Sequence, residues 1–249
     1  MYVDIVSDLH IEHWDSFPYD WQKNKQSNIV VIAGDISDDI FLTVRGLQKA
    51  CKVYDHVIFV DGNHESGKME RHLDASINDI HSYMQSFSNF YSLHHDTCIF
   101  DRIAFVGSCL WWNFENSNEV KQAFSKFMNM DTVNHIHETA NQHFFTIYSE
   151  VLKLQENPNI DTIVVVTHTV PHYNLISNTY PSKEFYKPMY YNSLASYLFH
   201  IPKVKYFIFG HSHDAKVQKL YDKTCINNAR GRPHDFNRQQ YSSLLVDLI

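Results

Sequence analysis

Val57-Ile58-Phe59-Val60-Asp61-Gly62-Asn63-His64-Glu65 decides how the rest of this chain reads. Four apolar residues predict a buried strand. They run into Gly-Asn-His-Glu and then into a helical pattern. In an α/β sheet, ligands sit beyond the carboxyl ends of the strands. Asn63, His64 and Glu65 would therefore present a neutral oxygen, an imidazole and a carboxylate at one point. Gly62 allows the tight turn this requires. A plain turn before a helix would use similar residues, so the stretch gains its weight from company elsewhere.

That company appears on both sides. Upstream, Ile29-Val30-Val31-Ile32-Ala33 predicts a strand ending in Gly34-Asp35-Ile36-Ser37-Asp38. Ile40, Val44, Leu47 and Cys51 then follow helical spacing, with Ser37 or Asp38 as the expected cap. Asp35 sits earlier, at the strand end, where capping explains it less well. Tyr2 to Val6 predicts the first strand, ending in Ser7-Asp8-Leu9-His10. Asp8 and His10 alternate about Leu9 and can point the same way. Residues 12–28 read as a loop.

Downstream, Met69, Leu73, Ile77, Ile80 and Met84 predict an amphipathic helix. Strands are expected around Cys98-Ile99-Phe100 and Ile103-Ala104-Phe105-Val106, the second leading to Trp111-Trp112. The two tryptophans are either core or an aromatic wall beside a pocket. Residues 116–155 read as helical, with a stripe of Ile136, Ala140, Phe144, Ile147, Val151 and Leu154. His135, His137 and His143 in this region do not have the spacing of a helical metal motif and read as structural or exposed. Thr162-Ile163-Val164-Val165-Val166 predicts a central strand ending in Thr167-His168. A long tyrosine- and proline-rich loop covers 173–192, and a short helix 193–200. Lys205-Tyr206-Phe207-Ile208-Phe209 predicts a strand ending in Gly210-His211-Ser212-His213, and Leu244-Leu245-Val246 a last one. No repeat or linker divides the chain, so one domain over 1–249 is expected.

Composition narrows the function. The formal net charge is −7 and there is no basic run, which argues against tight binding of long nucleic acid. No apolar run is long enough to span a membrane, and the N-terminus lacks a secretory pattern. Cys51, Cys98, Cys109 and Cys225 are scattered, with no C-x-x-C pair. They read as reduced thiols in a cytoplasmic protein.

Five strand ends thus carry Asp8/His10, Asp35, Asn63/His64, His168 and His211/His213. Each has a bland explanation; their recurrence at the same end of successive strands does not. Imidazole nitrogen and carboxylate oxygen suit zinc, manganese and iron. The donors outnumber one tetrahedral site, so a pair of ions sharing a carboxylate fits better.

Asp8-x-His10, Gly34-Asp35, Gly62-Asn63-His64-Glu65, His168 and Gly210-His211-Ser212-His213, in this order, resemble the calcineurin-like metallophosphoesterase superfamily. Gly-x-x-Leu-Trp at 107–111 and Asn-x-Arg-Gly at 228–231 resemble a small bacterial and phage-type branch of it. The resemblance implies an α/β fold of two facing mixed β-sheets flanked by helices, a four-layer sandwich. It implies two divalent ions (Mn2+, Fe2+ or Zn2+). Asp8, His10 and His213 would hold the first, Asn63, His168 and His211 the second, with Asp35 bridging. His64 would protonate the leaving oxygen or steady the transition state.

Charge supports this. Two divalent ions outweigh Asp8 and Asp35, so even with a bridging hydroxide the site stays positive and attracts a phosphoryl group. Arg230 is a candidate phosphate contact or, equally, a surface salt-bridge residue, and Trp112, His172 and Tyr173 are candidate pocket walls. Phosphoprotein phosphatases of the superfamily carry Gly-Asp-x-x-Asp-Arg-Gly, whereas Gly34-Asp35-Ile36-Ser37-Asp38-Asp39-Ile40 has no arginine. The Gly-His-x-His ending instead resembles the phosphodiesterase and nuclease branches. The expectation is a phosphodiesterase on a small nucleotide-like diester. The alternatives are a nuclease on single-stranded nucleic acid, a phosphomonoesterase, or a scaffold that keeps the fold without chemistry.

Overall fold

Strands of β-branched residues buried on both faces build two sheets, as parallel strands inside an α/β protein require. The structure, a computed structural model, describes residues 1–15, 18–66, 73–94, 96–129, 132–176, 187–235 and 240–248. The first sheet has the order β11-β1-β2-β3-β4, with β1 at Tyr2–Val6, β2 at Ile29–Ala33, β3 at His56–Val60, β4 at Phe90–Ser92 and β11 at Leu244–Asp247. The second has the order β5-β6-β7-β8-β10-β9. Its strands are β5 at Cys98–Phe100, β6 at Ile103–Ser108, β7 at Thr162–Thr167, β8 at Val204–Phe209, β9 at Lys216–Leu220 and β10 at Lys223–Asn227. Parallel pairing runs through β1, β2, β3 and β4 in one sheet and β6, β7, β8 and β10 in the other.

Alternation along each strand makes three apolar layers. Val31, Ala33, Ile58 and Val60 face Phe105, Val164, Val166 and Ile208 between the sheets. On the outside of the first sheet, Val30, Ile32 and Phe59 meet Val44, Leu47, Ile77 and Ile80. These last come from α2 (Ile40–Val53) and α3 (Ala75–Met84). On the outside of the second, Val165, Phe207 and Phe209 meet Phe144, Ile147 and Val151 of α5 (Val133–Glu156). The expected helix–sheet–sheet–helix sandwich is the one observed.

Several details differ from expectation. The helix over 116–155 is two helices, α4 (Asn118–Met128) and α5, because Asn129 ends α4 in the left-handed conformation. Asp39, not Ser37 or Asp38, caps α2, accepting from the N–H groups of Phe41 and Leu42. The stretch read as a loop contains a short helix, α1 (Trp21–Asn24), capped by Asp20. Met69 of the expected stripe and positions 177–186 of the tyrosine-rich loop lie outside the described residues. All four cysteines are free and buried. Among the described residues, no helix is long and apolar enough to cross a membrane.

Candidate metal centre

Since β1, β2 and β3 run parallel in one sheet, and β7 and β8 in the other, their carboxyl ends meet along one seam. Ser7 pairs with Ala229 across it, so the segment after β10 closes the seam. Asp8, His10, Asp35, Asn63, His64, His168, His211 and His213 all leave these strand ends.

The backbone there is unusual. Asp8, His10, Asp35, His211 and His213 all have positive φ, from 43° to 67°. Non-glycine residues seldom adopt this conformation, and it recurs where function over-determines the chain. Glycines supply close approach. A Cβ on Gly62 would lie 2.0 Å from Asp35 Oδ1, and one on Gly210 2.4 Å from Asp8 Oδ2. Gly62 is thus needed for space beside Asp35 rather than for the turn alone. Glu65 is a second fastening. It does not join the donors: its carboxylate accepts the N–H groups of Gly62 (2.7 Å), Asp35 (2.9 Å) and Ile36 (2.6 Å), stitching two loops together.

The donors fall into groups around a shared carboxylate. Ligand atoms of Asp8, His10 and His213 lie within 4.8 Å of one another, as do those of Asp35, His168 and His211. His213 Nε2 is 3.4 Å from Asp8 Oδ1 and 3.1 Å from His10 Nε2. Asp35 Oδ2 lies 3.1 Å from His168 Nε2 and 3.9 Å from His10 Nε2, so one oxygen faces both groups. Asn63 Oδ1 is 3.0 Å from His168 Nε2. His168 Nδ1 donates to the Ala33 carbonyl at 2.9 Å, which leaves Nε2 facing the centre. His213 Nδ1 is held by Asp235 Oδ2 at 2.6 Å. Such outer hydrogen bonds orient ligating imidazoles.

The charges are strongly coupled. Burial would raise Asp35, yet the imidazoles of His168 and His64 hold its carboxyl well below the usual range. Burial would likewise raise Asp8, but His213 holds it down. Against the penalty of burial, Asp35 lifts His168 to about 10, and Asp235 with Asp8 lifts His213 to about 9. His211 falls to about 3, through burial and then the charge on His168. Two cationic imidazoles thus stand among buried carboxylates where divalent ions would supply the same positive charge. The donor set, nitrogen and oxygen with a shared carboxylate, fits a pair of such ions.

His64 stands beside this centre. Its Nδ1 pairs with Asp38 Oδ1 and its Nε2 lies 3.8 Å from Asp35 Oδ2. Asp38, read from the sequence as a cap, is therefore the partner of His64. Arg232 approaches the same nitrogen, with Nη2 at 3.4 Å.

The expected substrate contacts are placed differently. Arg230 is 3% exposed, with its guanidinium 4.0 Å from the Trp14 ring, so it presents no surface to a phosphate. Its backbone N–H donates to the Ser7 carbonyl, which holds the seam. Trp112 is buried too. Its ring stacks on His211 at 5.4 Å, behind the donors. His172 is not brought to the site. It caps its own short turn and packs against Phe199 and Tyr221. Tyr221 precedes β10 and so lies toward the opposite end of the parallel strands. Tyr173 packs on Tyr191, with Lys187 Nζ over its ring. Sequence reasoning missed Arg232 and Asp235; neither sits at a strand end or in a spaced pattern.

Residues 1–215 match the family described as calcineurin-like phosphoesterase. The chain belongs to that family. This phosphoesterase is accordingly a metal-dependent hydrolase, in a dimetal-dependent family, with His/Asp groups able to bind metal. It is 25% identical over 275 residues to uncharacterized protein L509 of Acanthamoeba polyphaga mimivirus, covering 98% of this chain and 96% of that one. Its fold is similar to that of phosphopantetheinyl hydrolase (PptH) from Mycobacterium tuberculosis, at a TM-score of 0.80 and 16% identity, covering 98% and 95% of the two chains. It is also similar to a dimetal phosphatase from Danio rerio, at a TM-score of 0.60 and 14% identity, covering 100% and 92%.

Proposed function

We propose that this chain hydrolyses a small, nucleotide-like phosphodiester at the seam of its two sheets. The observation that carries the reading is the single Asp35 oxygen facing both donor groups, with His64 alongside. In this reading Asp8, His10 and His213 would hold one ion and Asn63, His168 and His211 the other, with Asp35 shared between the two groups. Bound there, two divalent ions would supply positive charge for the phosphoryl oxygens and lower the pKa of water.

The remaining work falls to side chains. His64 gives a proton from Nε2 to the leaving oxygen, while Asp38 on Nδ1 fixes the orientation of the ring. Arg232 Nη2, next to Nε2, pairs with a phosphate oxygen lying between them, a geometry guanidinium suits. That takes over the role the sequence reading gave to Arg230. Manganese is the ion of choice for a first assay, from a donor set that also suits iron and zinc.

A diester is favoured by the Gly-His-x-His ending at 210–213 and by the missing arginine after Asp38, where Asp39 stands. The hydrolase from Mycobacterium tuberculosis, named for a phosphopantetheinyl group, supports looking beyond simple monoesters. The net charge of −7 favours a small substrate over long nucleic acid.

The test compares bis-p-nitrophenyl phosphate with p-nitrophenyl phosphate, with manganese, with chelator, and in Asp35→Asn and His64→Ala. Diester hydrolysis that vanishes with chelator and with Asp35→Asn is the expected result. Activity confined to the monoester would overturn the diester assignment. Bound metal with no hydrolysis of either would overturn the catalytic one.

A further inference from the structure

A second set of metal-ligating side chains shares no residue with the strand-end groups. Asp74, His94 and His143 each offer one ligand atom, and these atoms lie within 4.8 Å of one another. They arrive from three places: the residue before α3, the turn after β4, and α5. All three line a cleft of about 980 Å³ that also touches Val106 and Ser108 of β6. We propose that Asp74, His94 and His143 form a separate binding site for a zinc-class divalent ion.

Three observations carry this. The donor set is two imidazoles and one carboxylate, which first-row divalent ions favour and which catalytic zinc sites use with a fourth position left open. The cleft supplies room for that fourth ligand. Next, Asp74 occupies the cap position of α3, where an aspartate ordinarily accepts the helix's first N–H groups. Its carboxylate makes no such bond. It instead meets His143 Nε2 at 3.1 Å. Nitrogen and oxygen bonded to one tetrahedral zinc stand roughly 3.3 Å apart, so an ion replaces the shared proton with little movement. Lastly, His143 is 6% exposed, and its ring sits 5.0 Å from that of His94 at 74°.

The rival account is a hydrogen-bonded brace between α5 and the start of α3. Zinc content separates the two. The full chain would be dialysed against micromolar zinc, then against buffer, and its zinc measured by mass spectrometry. Wild type would be compared with His94→Gln, Asp74→Asn and His143→Gln. The expected result is one equivalent less zinc per chain in each variant, together with a smaller zinc-induced rise in melting temperature. Hydrolysis of the diester by His94→Gln stays at the wild-type rate. Because the readout is a difference, it holds whatever number of ions the strand-end residues bind. Unchanged zinc content in His94→Gln and Asp74→Asn would overturn the proposal and leave the brace. Should His143→Gln fail to fold, the half-buried His94 and Asp74 variants decide.

Discussion

Alanine at position 62 tests the seam most directly. The new Cβ would stand 2.0 Å from Asp35 Oδ1 and 2.6 Å from Asp35 N, where ordinary contact begins at 3.4 Å. The neighbouring chain cannot slide away intact, because Glu65 ties the N–H groups of both Gly62 and Asp35. The Asp35 carboxylate has to retreat by about 1.4 Å, whereas a working constellation tolerates roughly 0.5 Å. Overpacking of this kind costs about 1–3 kcal/mol, or roughly 2–12 °C in melting temperature for a chain of this size. Displacing a positioned group by 1 Å costs about 10²-fold in rate. Gly62→Ala should therefore lose at least about 10²-fold in kcat/KM on bis-p-nitrophenyl phosphate, with manganese content reduced. Gly46→Ala is the control. It lies inside α2, where its Cβ would meet only Ile36 Cγ2 at 3.2 Å and Ile11 Cδ1 at 3.9 Å. Helix propensity returns up to about 1 kcal/mol there, so stability should change little and activity not at all. A folded Gly62→Ala protein with wild-type metal content and rate would refute the claim that close approach sets the position of Asp35.

Asp38→Ala should lower kcat by about 10²-fold with metal content unchanged, because it unfastens His64 and not the ions; titrating manganese alongside the rate checks this. Arg232→Ala should raise KM or lower kcat by about tenfold to a hundredfold. Arg230→Ala should instead lower the melting temperature and spare kcat, since its guanidinium lies on Trp14; thermal melts and steady-state kinetics separate the two. In the metal-free protein His168 titrates at about 10 and His213 at about 9, so both carry protons at neutral pH. A metal must displace those protons, so metal affinity rises with pH and levels off above these values. Calorimetry in buffers of differing ionisation enthalpy should register at least about two protons released per chain at about pH 7.5 if His168 and His213 are both ligands, with ionisation of bound water adding to them; no proton release would contradict the assignment.

Most of the sheet architecture was legible because buried parallel strands write themselves as unbroken apolar runs. Ile163-Val164-Val165-Val166 leaves no doubt; β4, three residues long at Phe90–Ser92, carries no such run and was invisible. Asp8, Asp35, His168, His211 and His213 were legible for a related reason: each follows closely on a strand whose direction the pattern already gave. Positions depending on how distant segments meet were not legible. Asp235 reaches His213 from 22 residues away, after the β9–β10 hairpin, from a segment that belongs to no strand or helix. Arg232 lies just past the seam that Ala229 closes on Ser7. Asp38 and Asp39 compete for one cap, and adjacent aspartates give no local sign of which wins; the loser became the partner of His64. His172 misled because it follows a strand end by only a few residues, yet the chain turns away there to pack against Phe199.

The left-handed backbone at Asp8, His10, Asp35, His211 and His213 sets selection for robustness against selection for chemistry. Each such residue holds roughly 1–3 kcal/mol of conformational strain, and glycine would relax it. A single glycine would also break a buried pair, Asp8 with His213 or Asp35 with His168, at a cost of about 3–5 kcal/mol. The strain is relieved only by emptying the centre as a whole, so the durability of this fold has to be sought in the helices and the layer between the sheets.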